Sequence, residues 1–231
     1  MDNKFTYLLL MIFTIAGPIG LSFDKKVAFY KNIKLFIVSA GITSLIYVIW
    51  DIIFTKNHIW KFNDTYILKH KLFHLPIEEY LFFIIVPYAS LFIYECIKSY
   101  FPNLKLGGTL PWKIVMVFST IMMFSNLSKW YTVVTFGLIT LIITITFILK
   151  NKLFKSISDH LFAAWVVCLL PMSYVNGVLT GKPILIYNDL ENCKIRIGTI
   201  PLEDFFYHLL YMLMMVFIYE YIKAIKEEKS K

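Results

Sequence analysis

The chain has 231 residues, of which 58% are hydrophobic, 18% aromatic and 16% charged; its mean hydropathy is +0.67 and its formal net charge +8. A soluble globular domain carries roughly 45–50% apolar and about 25% charged residues, so the composition excludes a soluble fold and predicts an all-α polytopic membrane protein. The positive charge is no sign of nucleic acid, because the lysines lie in short connections between apolar runs, where a positive-inside bias puts them.

Seven runs approach the ~20 apolar residues needed to cross a bilayer. The first, residues 5–22, follows Lys4 and resembles a signal peptide. It is long for an h-region, however, and ends in Gly17-Pro18-Ile19-Gly20 without a small-x-small cleavage site, so it reads as a span. The others are predicted at 33–54, 77–98, 112–125, 131–149, 157–179 and 202–223, the fourth being the shortest. Two long polar connections, 55–75 and 180–200, separate spans 2 from 3 and 6 from 7, and the tail 224–231 (AIKEEKSK) reads as a solvated end. With the N-terminus outside, the cytoplasmic segments hold 14 Lys and Arg and the opposite side 9. That bias predicts a cytoplasmic-membrane protein with an extracytoplasmic N-terminus and a cytoplasmic C-terminus.

Self-comparison shows an internal repeat. From Asp51 onward, a shift of 125 aligns the halves without a gap: LPIEEYLFF lies over IPLEDFFYH, FIYECIK over FIYEYIK, and Asn63-Asp64 over Asn188-Asp189. The expected organisation is a first repeat at 1–105, a linker span at 106–129, a second repeat at 130–223 and a polar tail at 224–231. The linker supplies an even crossing, so the two repeats run parallel about an axis along the membrane normal. Glu78-Glu79 and Glu203-Asp204 then come to the same depth on the same side.

Pro76 and Pro201 suit a first helical turn, which puts both acid pairs at helix N-termini, where carboxylates complement the dipole. Two such pairs at equivalent positions, each followed at once by aromatics, point beyond capping to a functional site. Acids drawn together in an apolar setting cannot all ionise, which leaves a neutral carboxylic acid able to donate a proton. Phe82, Phe83 and Phe206, with Trp60 and Trp50, could supply ring faces that stabilise a carbocation by roughly 1–2 kcal/mol each. Strong acid, aromatic lining and excluded water are the conditions for protonating an alkene without a redox cofactor. Asp51 and its repeat partner Asn176 are polar positions in apolar runs, able to hydrogen-bond the acids or to pack helices. Glu95 and Glu220 are expected to pair with Lys98 and Lys223 three residues on.

Other chemistries find little support. Cys96, Cys168 and Cys193 form no CxxC pair, and His70 and His74 have no histidine counterparts in the second repeat, so no metal site is expected. No GxGxxG appears, no lysine in the last span could hold retinal, and an intramembrane protease with Glu-Glu-x-x-x-Arg would need arginine where Phe83 stands.

The segments Trp50-Asp51, Trp60-Lys61-Phe62-Asn63, Pro76-Ile77-Glu78-Glu79 and Pro201-Leu202-Glu203-Asp204 resemble the two halves of the membrane-embedded, non-flavin lycopene cyclases. The likeness runs from span 1 to Lys223. It implies redox-neutral cyclisation of the ψ-ends of lycopene to β-ionone rings by way of γ-carotene, without a cofactor, on a lipophilic C40 substrate that arrives through the bilayer. The family's essential glutamates fall on Glu78, Glu79 and Glu203, with Asp204 in the fourth place. Asp51, Asn176, Trp60, Phe82, Phe83 and Phe206 are the candidate substrate-binding residues. A C50 or different-ring cyclase, a non-catalytic carotenoid-binding protein and homo-oligomerisation all stay open at this point.

Overall fold

Long uncharged runs become helices in a bilayer because every backbone polar group must find its partner within the segment. The computed structural model describes residues 3–228, and among these it contains seven α-helices: α1 (Thr6–Leu21), α2 (Ile33–Lys56), α3 (Ile77–Tyr100), α4 (Leu110–Phe124), α5 (Trp130–Ile148), α6 (Lys152–Gly181) and α7 (Leu202–Glu228). Five of them (α2, α3, α5, α6 and α7) are long and apolar enough to cross a membrane, while α1 and α4 are apolar but shorter. The 15 residues of α4 span about 22 Å at ~1.5 Å per residue. The start of the expected solvated tail 224–231 forms the exposed end of α7, which continues to Glu228; residues 229–231 lie outside the described residues.

The repeat is visible in the packing. α1 lies on α3 as α5 lies on α7; α2 packs against α7 as α6 packs against α3; and α4 packs on α5 as an outlying hairpin partner.

The two long connections are not open loops. β1 (Trp60–Phe62) pairs antiparallel with β4 (Leu185–Tyr187), in the register Trp60 to Tyr187, Lys61 to Ile186 and Phe62 to Leu185. Just beyond the ladder, Asn63 N–H donates to the Ile184 carbonyl at 2.8 Å and Asn188 N–H to the Ile59 carbonyl at 2.9 Å, a pair related by the same shift of 125. The pseudo-twofold axis therefore passes between Lys61 and Ile186. On each side of it a small hairpin forms, β2 (Lys71–Leu72) with β3 (Leu75–Pro76) and β5 (Arg196–Ile197) with β6 (Ile200–Pro201). Matching ion pairs brace them, Lys71–Asp64 at 2.6 Å and Arg196–Asp189 at 2.5 Å. The Asn192 amide and then the Arg196 guanidinium hold the Asp189 carboxyl below its usual range.

Two expectations are corrected here. Pro76 and Pro201 precede their helices instead of opening the first turn: Pro76, at φ −65° and ψ 151°, is the N-cap of α3, and both prolines end their hairpins. Glu95 and Glu220 do not pair with the lysines on their own helices. Lys223 of α7 meets Glu95 of α3 at 3.2 Å, and Lys98 of α3 meets Glu220 of α7. Sequence spacing makes the i,i+3 partner available, but the close approach of α3 and α7 puts the other helix's lysine nearer.

This crosswise clasp sits on partly buried side chains, 6% exposed at Glu95 and 10% at Glu220. Replacing Lys223 with Ala leaves Glu95 without its cation and should cost about 1–3 kcal/mol, read as a lower melting temperature in detergent. The exchanged pair Glu95→Lys with Lys223→Glu should recover most of the loss. Equal melting of the single variant and wild type would show that the clasp carries no weight.

Candidate active site

The acid pairs open α3 and α7, where the first-turn N–H groups lack helical partners and favour carboxylates. Consecutive residues on a helix project about 100° apart, so the two members of each pair meet different surroundings. Glu78 accepts the Leu68 backbone N–H at 2.7 Å, and Glu203 accepts the Cys193 N–H at 2.6 Å; Leu68 and Cys193 are themselves equivalent positions of the repeat. Glu203 also takes the Thr132 hydroxyl at 2.5 Å. Both glutamates are fully buried and act as latches that tie each connection to the helix it precedes. Just past each latch the chain turns through Lys69 (φ 66°) and Lys194 (φ 62°), a left-handed conformation that costs a side-chain-bearing residue roughly 1–2 kcal/mol.

Glu79 and Asp204 instead line a common cleft with Asp51 of α2. Glu79 accepts the Tyr7 hydroxyl at 2.6 Å. Asp204 accepts three donors: Tyr131 at 2.7 Å, Tyr187 at 2.9 Å and the Asn176 amide at 3.1 Å. Asp51 accepts Trp60 Nε1 at 2.6 Å and Thr55 at 3.3 Å, while its second oxygen is buried without a partner. The three carboxyl groups are at most 6% exposed, and no lysine, arginine or histidine lines their cleft. Burial, and then the neighbouring Asp204, push the Tyr187 hydroxyl well above the usual phenol range, which keeps it a donor. Burial likewise pushes the Cys193 thiol up to about 11, so no thiolate nucleophile stands beside Glu203.

Rings close this end. Tyr131 and Tyr187 stack at 5.7 Å and 9°, and Trp60 meets both edge-on at 5.2 and 5.9 Å. Tyr207, which also lines the cleft, packs on Tyr47 at 4.7 Å and Trp50 at 5.1 Å. A second cleft continues from the first through Phe82, Asn176, Asp204 and Tyr207 and runs between α3 and α6, enclosing about 650 Å³ of empty space, part of it open. Its walls are almost wholly apolar, with Ser90 and His208 as a hydrogen-bonded exception at 3.0 Å. An apolar passage leading to a dry group of carboxyls can shed water from a hydrocarbon and deliver a proton to it.

The structure thus brings Asp51, Glu79, Asn176, Asp204, Trp60 and Phe82 together, and puts Phe83 on the adjoining cleft. Glu78 and Glu203 stand behind, facing the connections. Phe206 is not brought to the acids: it packs on Phe136 at 4.9 Å, Phe118 at 5.2 Å and Trp165 at 5.8 Å, in a separate shallow groove beside α4. Three phenol donors escaped the sequence reading, Tyr7, Tyr131 and Tyr187. The first two sit at the starts of equivalent helices, where an interfacial aromatic is unremarkable, and Tyr187 is the repeat partner of Phe62.

Residues 4–97 match the family described as "Lycopene cyclase", and residues 128–222 match it again. Comparison with curated proteins and with solved structures gave no match. The two matched stretches contain one acid pair each, and together they span most of the polypeptide. The chain belongs to the lycopene cyclase family, with both repeats fused in one polypeptide.

Proposed function

We propose that the protein cyclises the linear ψ-ends of lycopene to β-ionone rings, giving γ-carotene and then β-carotene. The observation that supports this most directly is the trio Asp51, Glu79 and Asp204, buried without a compensating cation at the end of an apolar cleft. Uncompensated buried charge is costly, so the trio retains protons. A carboxylic acid of the trio adds its proton to the terminal double bond, and the resulting tertiary cation is attacked by the neighbouring double bond, closing the ring. A carboxylate of the trio then takes a ring proton, restoring the alkene. One proton enters and one leaves, so no oxidant or reductant is consumed. Ring faces of Trp60, Tyr131, Tyr187 and Tyr207 surround the cation, each worth about 2 kcal/mol when desolvated. Asp204, fixed by three donors, suits the group that is charged before the step. Glu79, with one phenol donor and a longer side chain, suits the one that moves toward carbon. Glu78 and Glu203 act as positioning residues through the backbone they hold. The chain lies in the cytoplasmic membrane with its N-terminus outside, which turns the acid cleft toward the outer leaflet.

In a lycopene-accumulating bacterium, Glu79→Gln and Asp204→Asn should abolish ring products at equal membrane expression, a loss of about 10²–10⁴-fold for a missing acid or base. Phe206→Leu should stay near the wild-type level. Ring products that persist without either acid would favour a carotenoid-binding role, with the cyclisation due to the host.

The latches behave differently. Glutamine keeps an acceptor for the Leu68 and Cys193 amides, whereas alanine removes it at about 1.5–3 kcal/mol. Glu78→Gln and Glu203→Gln should therefore keep those amides slow in hydrogen exchange and retain measurable turnover, and the alanine variants should lose both. Turnover lost in the glutamine variants with protection intact would move Glu78 and Glu203 into the proton-transfer chemistry. For orientation, a C-terminal alkaline phosphatase fusion should be inactive and a fluorescent protein fusion bright; the reverse result would invert the topology.

A further inference from the structure

The pseudo-twofold axis ought to generate two equivalent grooves, one between α3 and α6 and one between α2 and α7. The first is an open cleft, and the second is filled by side chains. At matched positions, Val175 of the open groove becomes Trp50, Met172 becomes Tyr47, and Ala89-Ser90 become Met214-Met215. Tyr47 fills the middle of the closed groove, with ring contacts to Tyr207 and Tyr211 at 4.7 Å each, Trp50 at 5.4 Å and Phe83 at 6.3 Å. It is fully buried, as is Met215. Such packing leaves no room for a ligand.

The backbone follows the same division. α3 and α6, whose facing sides form the open groove, carry the internal prolines Pro87 and Pro171, both in its lining, while α2 and α7, which face each other across the closed one, carry none. Proline removes a rung of the helical ladder and bends the helix, which opposes close packing along a groove. Pro171 is also exposed on the outer, apolar surface of α6 and lines the cleft. The cleft therefore opens sideways, at a depth where the surroundings are hydrocarbon. Its lining, apolar with a few polar groups, is that usual for small-ligand sites.

We propose that the α3/α6 cleft is the molecule's single channel for a linear polyene, and that the plugged α2/α7 groove confines the enzyme to one ring closure per visit. This rests on the cyclase reading of the acid site. The substrate slides in from lipid with one end leading to the trio. After closure it withdraws, and the second end reacts only when a monocyclic molecule re-enters in the opposite sense.

Two measurements test this in proteoliposomes. Labelled lycopene, chased with excess unlabelled lycopene once the first ring has formed, should leave its label in the monocyclic product, and labelled bicyclic product should fall in proportion to the chase. Undiluted labelled bicyclic product would overturn single-visit closure. The double variant Met172→Tyr with Val175→Trp copies the plug into the open side. It should lose more than about tenfold of both ring formation and the lycopene quenching of tryptophan fluorescence, with unchanged melting. Met214→Ala with Met215→Ser, in the closed groove, should leave both near wild type. A plugged variant that still binds lycopene overturns the channel. Wild type that binds lycopene through this cleft but closes no ring overturns the cyclase reading and leaves the channel standing.

Discussion

Six residues of backbone set the reactive end of this molecule. The antiparallel pairing of Trp60–Phe62 with Leu185–Tyr187 is the point where one repeat hydrogen-bonds edge to edge with the other. Trp60 and Tyr187, register partners in that ladder, reach in opposite directions to Asp51 of α2 and Asp204 of α7. A slip of one residue would turn both rings to the wrong face and take one donor from each of two buried carboxyls. The hairpins, the latches and the helix N-termini inherit their placement from this ladder.

A second constraint is electrostatic. The chain puts its acids where a helix N-terminus favours negative charge and then surrounds them with rings and hydrocarbon, which favour none. Glu78 and Glu203 each accept a backbone N–H through one oxygen and keep the other buried without a partner, which suits the positioning role proposed for them. Asp51, Glu79 and Asp204 are left with phenols, an indole, a hydroxyl and one amide, donors that orient a carboxyl without supplying a full opposite charge. In the proposed function, the difference between two adjacent residues on one helix becomes a difference between scaffold and chemistry.

Much of this was legible in the sequence, because repeats, apolar runs and paired acids are patterns of residue type. The shift of 125 that aligns PIEE with PLED also relates the latches, the hairpin ion pairs and the strand contacts. What escaped depends on direction and distance instead. Nothing in the spacing of Glu95 and Lys98 says that Lys223 of another helix comes closer. Phe82 and Phe206 both follow an acid pair by a few residues, yet one lines the cleft and the other packs against α4, because helical rotation and not proximity in sequence decides the face. The closed groove is written in the chain as Tyr47 and Trp50 opposite Met172 and Val175, but its meaning needs the pairing of α2 with α7.

The crosswise clasp of Glu95 with Lys223 and Glu220 with Lys98 joins the first repeat to the second, and nothing in its chemistry requires the two to share a polypeptide. The same holds for the β1–β4 ladder. Two copies could satisfy every one of these contacts by exchanging halves, the hazard known as domain swapping. What disfavours exchange is the short tether through α4, which holds the second repeat beside the first at a local concentration on the order of millimolar. Lengthening that connection would dilute each half with respect to its own partner, and would turn a chain closed on itself into a question of membrane density.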